Sequence, residues 1–217
     1  MVFVIMFAIC FLPVSILYPT WVIHKDRLDK KKKAIVASNH YSNLDPIIYN
    51  FRFWTKFRFM GKKELFKTKL GAWFFTKLGS FPVDRNQITP SVYKKTLAEL
   101  NDNKQVFIFP EGTRNKSGSE EMGDAKAGII TFASKGDCEI VPMLLYRKPK
   151  LFRKNYIIVG EPFKVEGENP KRLTPEEMEL NIEKYKNAMD ALRLDLDEFV
   201  SRKKCKNKNV NIDKKQK

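Results

Sequence analysis

Cysteine and histidine are scarce in this 217-residue chain. The three cysteines, Cys10, Cys138 and Cys205, are widely separated and form no CxxC pair, and the only histidines are His24 and His40. A Cys/His zinc site is thereby excluded, and neither a metal nor a bound cofactor is expected. An odd cysteine number gives no disulfide framework, which fits a reducing compartment. Internal repeats and low-complexity linkers are also missing, so one globular domain with extensions is expected. Acid is in short supply: 25 Asp and Glu face 41 Lys and Arg, leaving a formal net charge of +16. Such an excess points to an anionic partner, whether nucleic acid, a membrane surface or a phosphorylated substrate. Nucleic acid would call for a basic stripe interleaved with exposed aromatics on one face. Here much of the charge is gathered at Lys25–Lys33 and in the tail, so no nucleic-acid partner is expected.

Charge is wholly absent from Met1 to Ile23, where nineteen of twenty-three positions are apolar. As a helix that stretch is long enough to cross about 30 Å of hydrocarbon. It has no basic n-region and no small-residue cleavage site, so it reads as a retained anchor rather than a signal peptide. Pro13 and Pro19 make a kinked helix and a helical hairpin dipping into one leaflet equally reasonable. Lys25, Arg27 and Lys30 to Lys33 follow at once, and the positive-inside rule puts what comes next on the cytoplasmic face of the cell membrane. At the other end, eight Lys or Arg between Ser201 and Lys217 face the single acid Asp213, a composition expected to be disordered and able to meet anionic membrane lipids. The expected organisation is an anchor at residues 1–23, a basic juxtamembrane segment at 24–33, a folded domain at 34–200 and a tail at 201–217.

Within the domain, short apolar runs at Ala34–Ser38, Phe57–Met60, Ser80–Val83, Gln105–Phe109, Ile140–Leu145 and Tyr156–Val159 read as strands. Helix-like segments at Glu64–Lys77, Thr89–Asp102 and Asp124–Ser134 lie between several of them. The alternation predicts an α/β fold with a central mixed sheet flanked by helices. A last helix is predicted from Thr174 to about Val200, with Pro175 at its first position and Glu177 completing a capping box.

Chemistry is concentrated at two strand ends. Ser38-Asn39-His40-Tyr41-Ser42-Asn43-Leu44-Asp45-Pro46 holds an HxxxxD arrangement directly after a strand. If the chain turns there and Ser42 or Asn43 caps a short helix, Asp45 folds back to face His40. A carboxylate on one imidazole nitrogen leaves the other as a base for an alcohol. Taken alone, the pair is better explained by a structural histidine bonded to a nearby turn. The second feature is Phe109-Pro110-Glu111-Gly112-Thr113-Arg114. Gly112 permits close backbone approach, Thr113 offers a hydroxyl, and Arg114 a planar cation that grips phosphate through two parallel bonds. In isolation this loop also reads as a polar turn.

Together these residues resemble the glycerolipid acyltransferase family, most closely its 1-acylglycerol-3-phosphate acyltransferase branch. The similarity runs from about Ala34 to Met143. His40 and Asp45 match NHxxxxD; Gly61 to Leu65 and Phe81 to Arg85 match the second region; Glu111 to Arg114 match EGTR; Val141-Pro142-Met143 matches the fourth motif. The resemblance implies a glycerol-3-phosphate acyltransferase-like fold, with His40 as catalytic base and Asp45 as its orienting partner. It further implies that Arg85, Glu111, Gly112, Thr113 and Arg114 bind the glycerol phosphate. Lys126 sits where the family often has Phe-Lys-x-Gly, but Ala125 replaces the Phe, which weakens that assignment. Glu111 beside a phosphate is repulsive unless it bonds a cation or hydroxyl, so it is expected to position Arg85 or Arg114.

The implied reaction carries a fatty acyl group from a thioester, either acyl-CoA or acyl-acyl-carrier-protein, to the free hydroxyl of lysophosphatidic acid. GxSxG is absent, which favours direct transfer over an acyl-enzyme. Backbone amides after His40, at a helix start, suit an oxyanion. Trp73, Phe74, Phe75 and Leu78 are candidates for an acyl-chain groove or for ordinary core. Two other readings are another lysolipid or lipid-A-like acceptor, and a basic binding module without catalysis.

Overall fold

The computed structural model describes residues 11–83, 90–111 and 125–213, the side chains of 125–126 and of 204–213 excepted. Seven strands form one sheet: β1 (Thr20–Ile23), β2 (Ala34–Ser38), β3 (Arg58–Lys62), β4 (Ser80–Val83), β5 (Gln105–Ile108), β6 (Glu139–Leu145) and β7 (Asn155–Val159). Their order is β1-β7-β6-β2-β5-β3-β4. Every neighbouring pair is parallel except β6 and β7, so the sheet is mixed, as expected. The helices are α1 (Asp45–Phe53), α2 (Lys69–Lys77), α3 (Pro90–Asn101), α4 (Ala125–Gly136) and α5 (Pro175–Asp213).

β2 occupies the middle of the sheet, and all five of its residues are buried. A continuous apolar run is what a parallel strand covered on both faces requires. Its alternating side chains divide between two layers. Ile35 and Ala37 pack with Leu100 of α3, Ile129 and Ile130 of α4, and Tyr185, Met189 and Leu192 of α5. Ala34 and Val36 pack with Ile48, Tyr49 and Phe53 of α1 on the other side. Each fully buried Ile or Phe contributes about 1.5–3 kcal/mol, and these two layers carry most of the stability.

Pro142 lies inside a central strand, where proline is ordinarily excluded. Ile140 donates toward the β7 side, to Phe163, so the missing donor of Pro142 faces that side too. There β7 has already ended at Val159, and only the carbonyl of Pro142 is needed, by Gly160 at 2.8 Å.

The predicted strands recur within a few residues of their expected bounds, the expected Glu64–Lys77 helix divides into a 3-10 turn at Lys63–Phe66 and α2, and the capping box of the last helix forms. Glu177 donates its amide to Thr174 Oγ1 at 3.2 Å, and its carboxylate accepts from the Thr174 amide at 2.8 Å. Three expectations need correction. The anchor does not reach Ile23, because Thr20–Ile23 is an edge strand paired with β7. Residues 11–17 are helical, but Pro19 ends that course, and β-branched Thr20, Val22 and Ile23 suit a strand. Among the described residues no helix is long and apolar enough to cross a membrane; residues 1–10 lie outside them. The segment from His24 to Lys33 belongs to the folded domain, with Leu28 buried and Arg27 bonded to the Val159 carbonyl at 3.0 Å and to Glu161 at 2.8 Å. Finally, α5 runs on to Asp213 where a disordered tail was expected. No Gly or Pro interrupts it after Pro175, Glu198 pairs with Arg202 at 2.5 Å, and a helix already nucleated by packing propagates at little cost.

Candidate active site

His40 follows the C-terminal end of β2, the end from which the loops of a parallel sheet project toward ligands. Asn39 fixes that end. Its side chain donates to the Leu145 carbonyl at 2.9 Å and accepts from the Leu145 amide at 2.8 Å, lacing β2 to β6 after the regular ladder stops. Ser38 Oγ is hydrogen-bonded to the Tyr49 hydroxyl on α1, and burial pushes that phenol well above its usual range. The backbone on either side of His40 is thus held from two directions.

The chain then turns, and Asp45 opens α1. Its Oδ2 lies 2.9 Å from His40 Nδ1 and accepts from the amides of Tyr41 and Ser42 at 2.7 Å each. The helix start differs in detail from expectation. Leu44 is the N-cap residue and offers no side-chain cap, while Ser42 Oγ accepts from the Leu44 amide at 3.2 Å. Asp45 is fully buried, and with two backbone amides on the same oxygen, that oxygen must be an acceptor toward His40. Nδ1 therefore carries the proton, and Nε2 is the basic nitrogen left for a substrate. The ring is stacked on Phe109, centroid to centroid 4.0 Å and 16° from parallel, which fixes its plane. Of the backbone amides after His40 expected to suit an oxyanion, those of Tyr41 and Ser42 are bonded to Asp45 and that of Leu44 to Ser42 Oγ.

Glu111, at the end of the β5 loop, accepts from the His40 amide through Oε1 at 3.3 Å. It thus reaches the loop that bears His40. Its expected partners Arg85 and Arg114 lie outside the described residues, as do Gly112, Thr113 and the side chain of Lys126. The structure brings His40, Asp45 and Glu111 together.

A cavity of about 620 Å³ opens beside the imidazole. His40 and Phe109 line one part of it, Phe59, Met60, Leu65, Phe74, Phe75 and Leu78 supply much of the apolar remainder, and Asn43, Asn50, Lys62 and Ser80 add polar groups. Of the four aromatic and leucine candidates, Phe74, Phe75 and Leu78 do line it; Trp73 does not, and is about half exposed. This is a mostly apolar pocket with one oriented base at its wall, the usual make-up of a ligand site.

An acyltransferase family model matches residues 21–146, more than half of the chain. The chain belongs to the acyltransferase family. Acyltransferases similar to it include the 1-acyl-sn-glycerol-3-phosphate acyltransferase of Bacillus subtilis, 34% identical over 148 residues, 65% of this chain and 72% of that one. The protein of that name from Borreliella burgdorferi is 29% identical over 138 residues, 63% of this chain and 54% of its own length. The chain spans less than two thirds of the Borreliella protein, but more of the Bacillus one. The solved structure of the 1-acyl-sn-glycerophosphate acyltransferase PlsC of Thermotoga maritima shares the fold, with a TM-score of 0.60 at 21% identity over 80% of this chain and 70% of that one.

Three contributors escaped the sequence reading. Phe109 stands in the sequence at a strand end and at the head of the Pro110-Glu111 loop, where an aromatic is a usable hint of the ring platform it forms for His40. Arg193 of α5 donates to the Tyr146 carbonyl at 3.0 Å and reaches the Tyr41 hydroxyl at 3.3 Å, bracing the loop that bears His40. Tyr185, fully buried on the same helix, has its phenol pushed far up, first by burial and then by the Glu111 carboxylate. Nothing in the sequence separates these two from the other polar residues of that helix.

Proposed function

We propose that this acyltransferase moves a fatty acyl group from a thioester to the sn-2 hydroxyl of 1-acyl-glycerol-3-phosphate, forming phosphatidic acid in phospholipid biosynthesis. The observation that carries the reading is the His40 Nδ1 to Asp45 Oδ2 contact of 2.9 Å at the wall of an apolar cavity. His40 Nε2 takes the hydroxyl proton as the oxygen attacks the acyl carbon. The new C–O bond forms, the C–S bond breaks, and the proton passes to the departing thiolate. General base action of this kind supplies about two to four orders of magnitude in rate. Positioning both substrates at the cavity mouth supplies more.

The acyl chain is assigned to the cavity. Its volume of about 620 Å³ and its mostly apolar lining suit a fatty tail. The glycerol phosphate is assigned to Arg85, Gly112, Thr113, Arg114 and Lys126; of these, Gly112 to Arg114 come next in sequence to the Glu111 that accepts from the His40 amide. Acyl-CoA and acyl-acyl-carrier-protein both fit as donors, since each brings an acidic carrier to a chain of net charge +16. The protein is placed at the cell membrane with its catalytic edge on the cytoplasmic face, held by the apolar N-terminal segment and by cations that attract anionic lipids.

The test is transfer of a radiolabelled acyl group from each donor to lysophosphatidic acid and to a panel of other lysolipids in detergent. Phosphatidic acid made by the native chain and lost in His40→Ala is the expected outcome. Transfer only to another lysolipid would reassign the acceptor, and no transfer at all would overturn the reading.

A further inference from the structure

We propose that the turn joining β6 to β7, Arg147 to Lys154, is a membrane-contact loop that seats on an anionic bilayer beside the edge of the sheet bearing His40. The segment reads Arg-Lys-Pro-Lys-Leu-Phe-Arg-Lys, five cations and no acid. Among the described residues none of the five is in an ion pair. At its tip Leu151 and Phe152 are 58% and 68% exposed, between the exposed Lys150 and Lys154. Two large apolar side chains in water, ringed by like charges, are unfavourable on both counts unless an anionic, apolar surface meets them.

The loop is held in that shape. Arg147 donates to the Lys154 carbonyl at 2.6 Å, Asn155 to the Arg147 carbonyl at 2.7 Å, and the Arg153 guanidinium to the Lys148 carbonyl. Phe152 adopts a left-handed φ of 57°, uncommon for an aromatic, with its amide bound to the Leu17 carbonyl at 2.7 Å. That bond joins the loop to the end of the apolar N-terminal segment. On the neighbouring edge strand Trp21 is half exposed, with Lys154 Nζ 5.9 Å from its ring, an aromatic and cation pair suited to the headgroup level.

Position links the loop to the site. β6 runs parallel to β2, with Met143 beside Ser38, so the loop after β6 leaves the sheet at the same end as His40. Seating it on a bilayer brings the cavity mouth to the source of a lipid acceptor. That last link rests on the acyl-transfer reading, whereas the bilayer contact stands without it.

The test uses the full chain with Phe152→Trp and vesicles of phosphatidylcholine, with or without phosphatidylglycerol, carrying brominated acyl chains. The expected result is extra bromine quenching over the native chain, whose three tryptophans set the background, and only in the anionic vesicles. Lys148→Gln, Lys150→Gln and Lys154→Gln together should lower the partitioning of this element on the order of a hundredfold. They should leave transfer to a monomeric short-chain acceptor unchanged. No quenching beyond background overturns the proposal. So does a triple variant that keeps vesicle contact but loses affinity for an acyl-carrier-protein donor, which would make the loop a protein dock. The fluorescence needs no turnover, so its failure is distinct from failure of acyl transfer.

Discussion

Replacing Asp45 by Asn should slow transfer modestly, while replacing it by Ala should nearly abolish it. One oxygen, Oδ2, serves three donors: His40 Nδ1, Tyr41 N and Ser42 N. In Asp45→Asn the amide oxygen must take that position, because an NH2 group cannot face two backbone amides. His40 therefore keeps its proton on Nδ1 and its base on Nε2. What is lost is the negative charge that strengthens the bond as the imidazolium forms, worth about 1.5–3 kcal/mol. That corresponds to a kcat roughly 10- to 150-fold lower with little change in KM. Asp45→Ala removes the acceptor outright, frees the ring to change tautomer, and strands two amides at about 1–3 kcal/mol each. It should lose at least about a thousandfold in rate and melt lower as well. The assay is thiol release from the donor with lysophosphatidic acid as acceptor, paired with thermal melting of each variant in the same detergent. If Asp45→Asn were as inactive as Asp45→Ala while melting like the native chain, the shared-acceptor argument would be refuted, because only a flipped amide and a reversed tautomer give that pattern.

Arg58 grips Glu99 through two bonds of 2.7 Å, with Lys95 3.5 Å away as partial compensation, so Arg58→Met should cost about 2 kcal/mol and lower Tm by roughly 4–8 °C. Burial alone would raise the Glu99 carboxyl, but Arg58 and Lys95 bring it below its ordinary value; that stability is full above the ordinary value and is lost as pH falls through the depressed one. Without Arg58 burial prevails, and the variant's deficit should shrink on mild acidification, a trend urea titrations at several pH values would expose. Burial pushes the Cys138 thiol from 9.0 up to about 11, so the unfolded chain sheds that proton first and stability should decline as pH rises from about 9 to 11, a slope that Cys138→Ala removes. A Cβ at Gly61 would sit 2.9 Å from the Phe66 ring edge and 3.5 Å from Ser80 Cβ, so Gly61→Val should force Phe66 aside and lower Tm, which thermal melting in the same detergent would show.

The sheet was readable in the sequence because its central strands are buried on both faces and appear as apolar runs bounded by turns. β1 was not, because Thr20–Ile23 continues an apolar stretch with no break other than Pro19, and long-range pairing with β7 rather than local pattern makes it a strand. The length of α5 was missed for the opposite reason: composition argued against order from Ser201 on, while packing of Tyr185 to Val200 had already met the cost of starting the helix. In the site, His40 and Asp45 were legible from spacing. The lacing of Asn39 to Leu145 and the bracing by Arg193 were not, since both depend on residues more than a hundred positions apart meeting across the sheet.

The strand order sets a limit on how far this enzyme can be trimmed. The family match ends at residue 146, yet β7 is inserted between β1 and β6 and begins at Asn155. A fragment cut at the end of the match would leave Thr20–Ile23 without a strand neighbour and open one edge of β6 to water, inviting edge-to-edge aggregation. It would also strip Tyr185, Met189, Leu192 and Leu196 from the layer that covers Ile35. The stretch that holds the reacting groups is thus smaller than the smallest unit able to fold around them, and domain transplants or crossovers should carry everything from Thr20 to Val200 as one block.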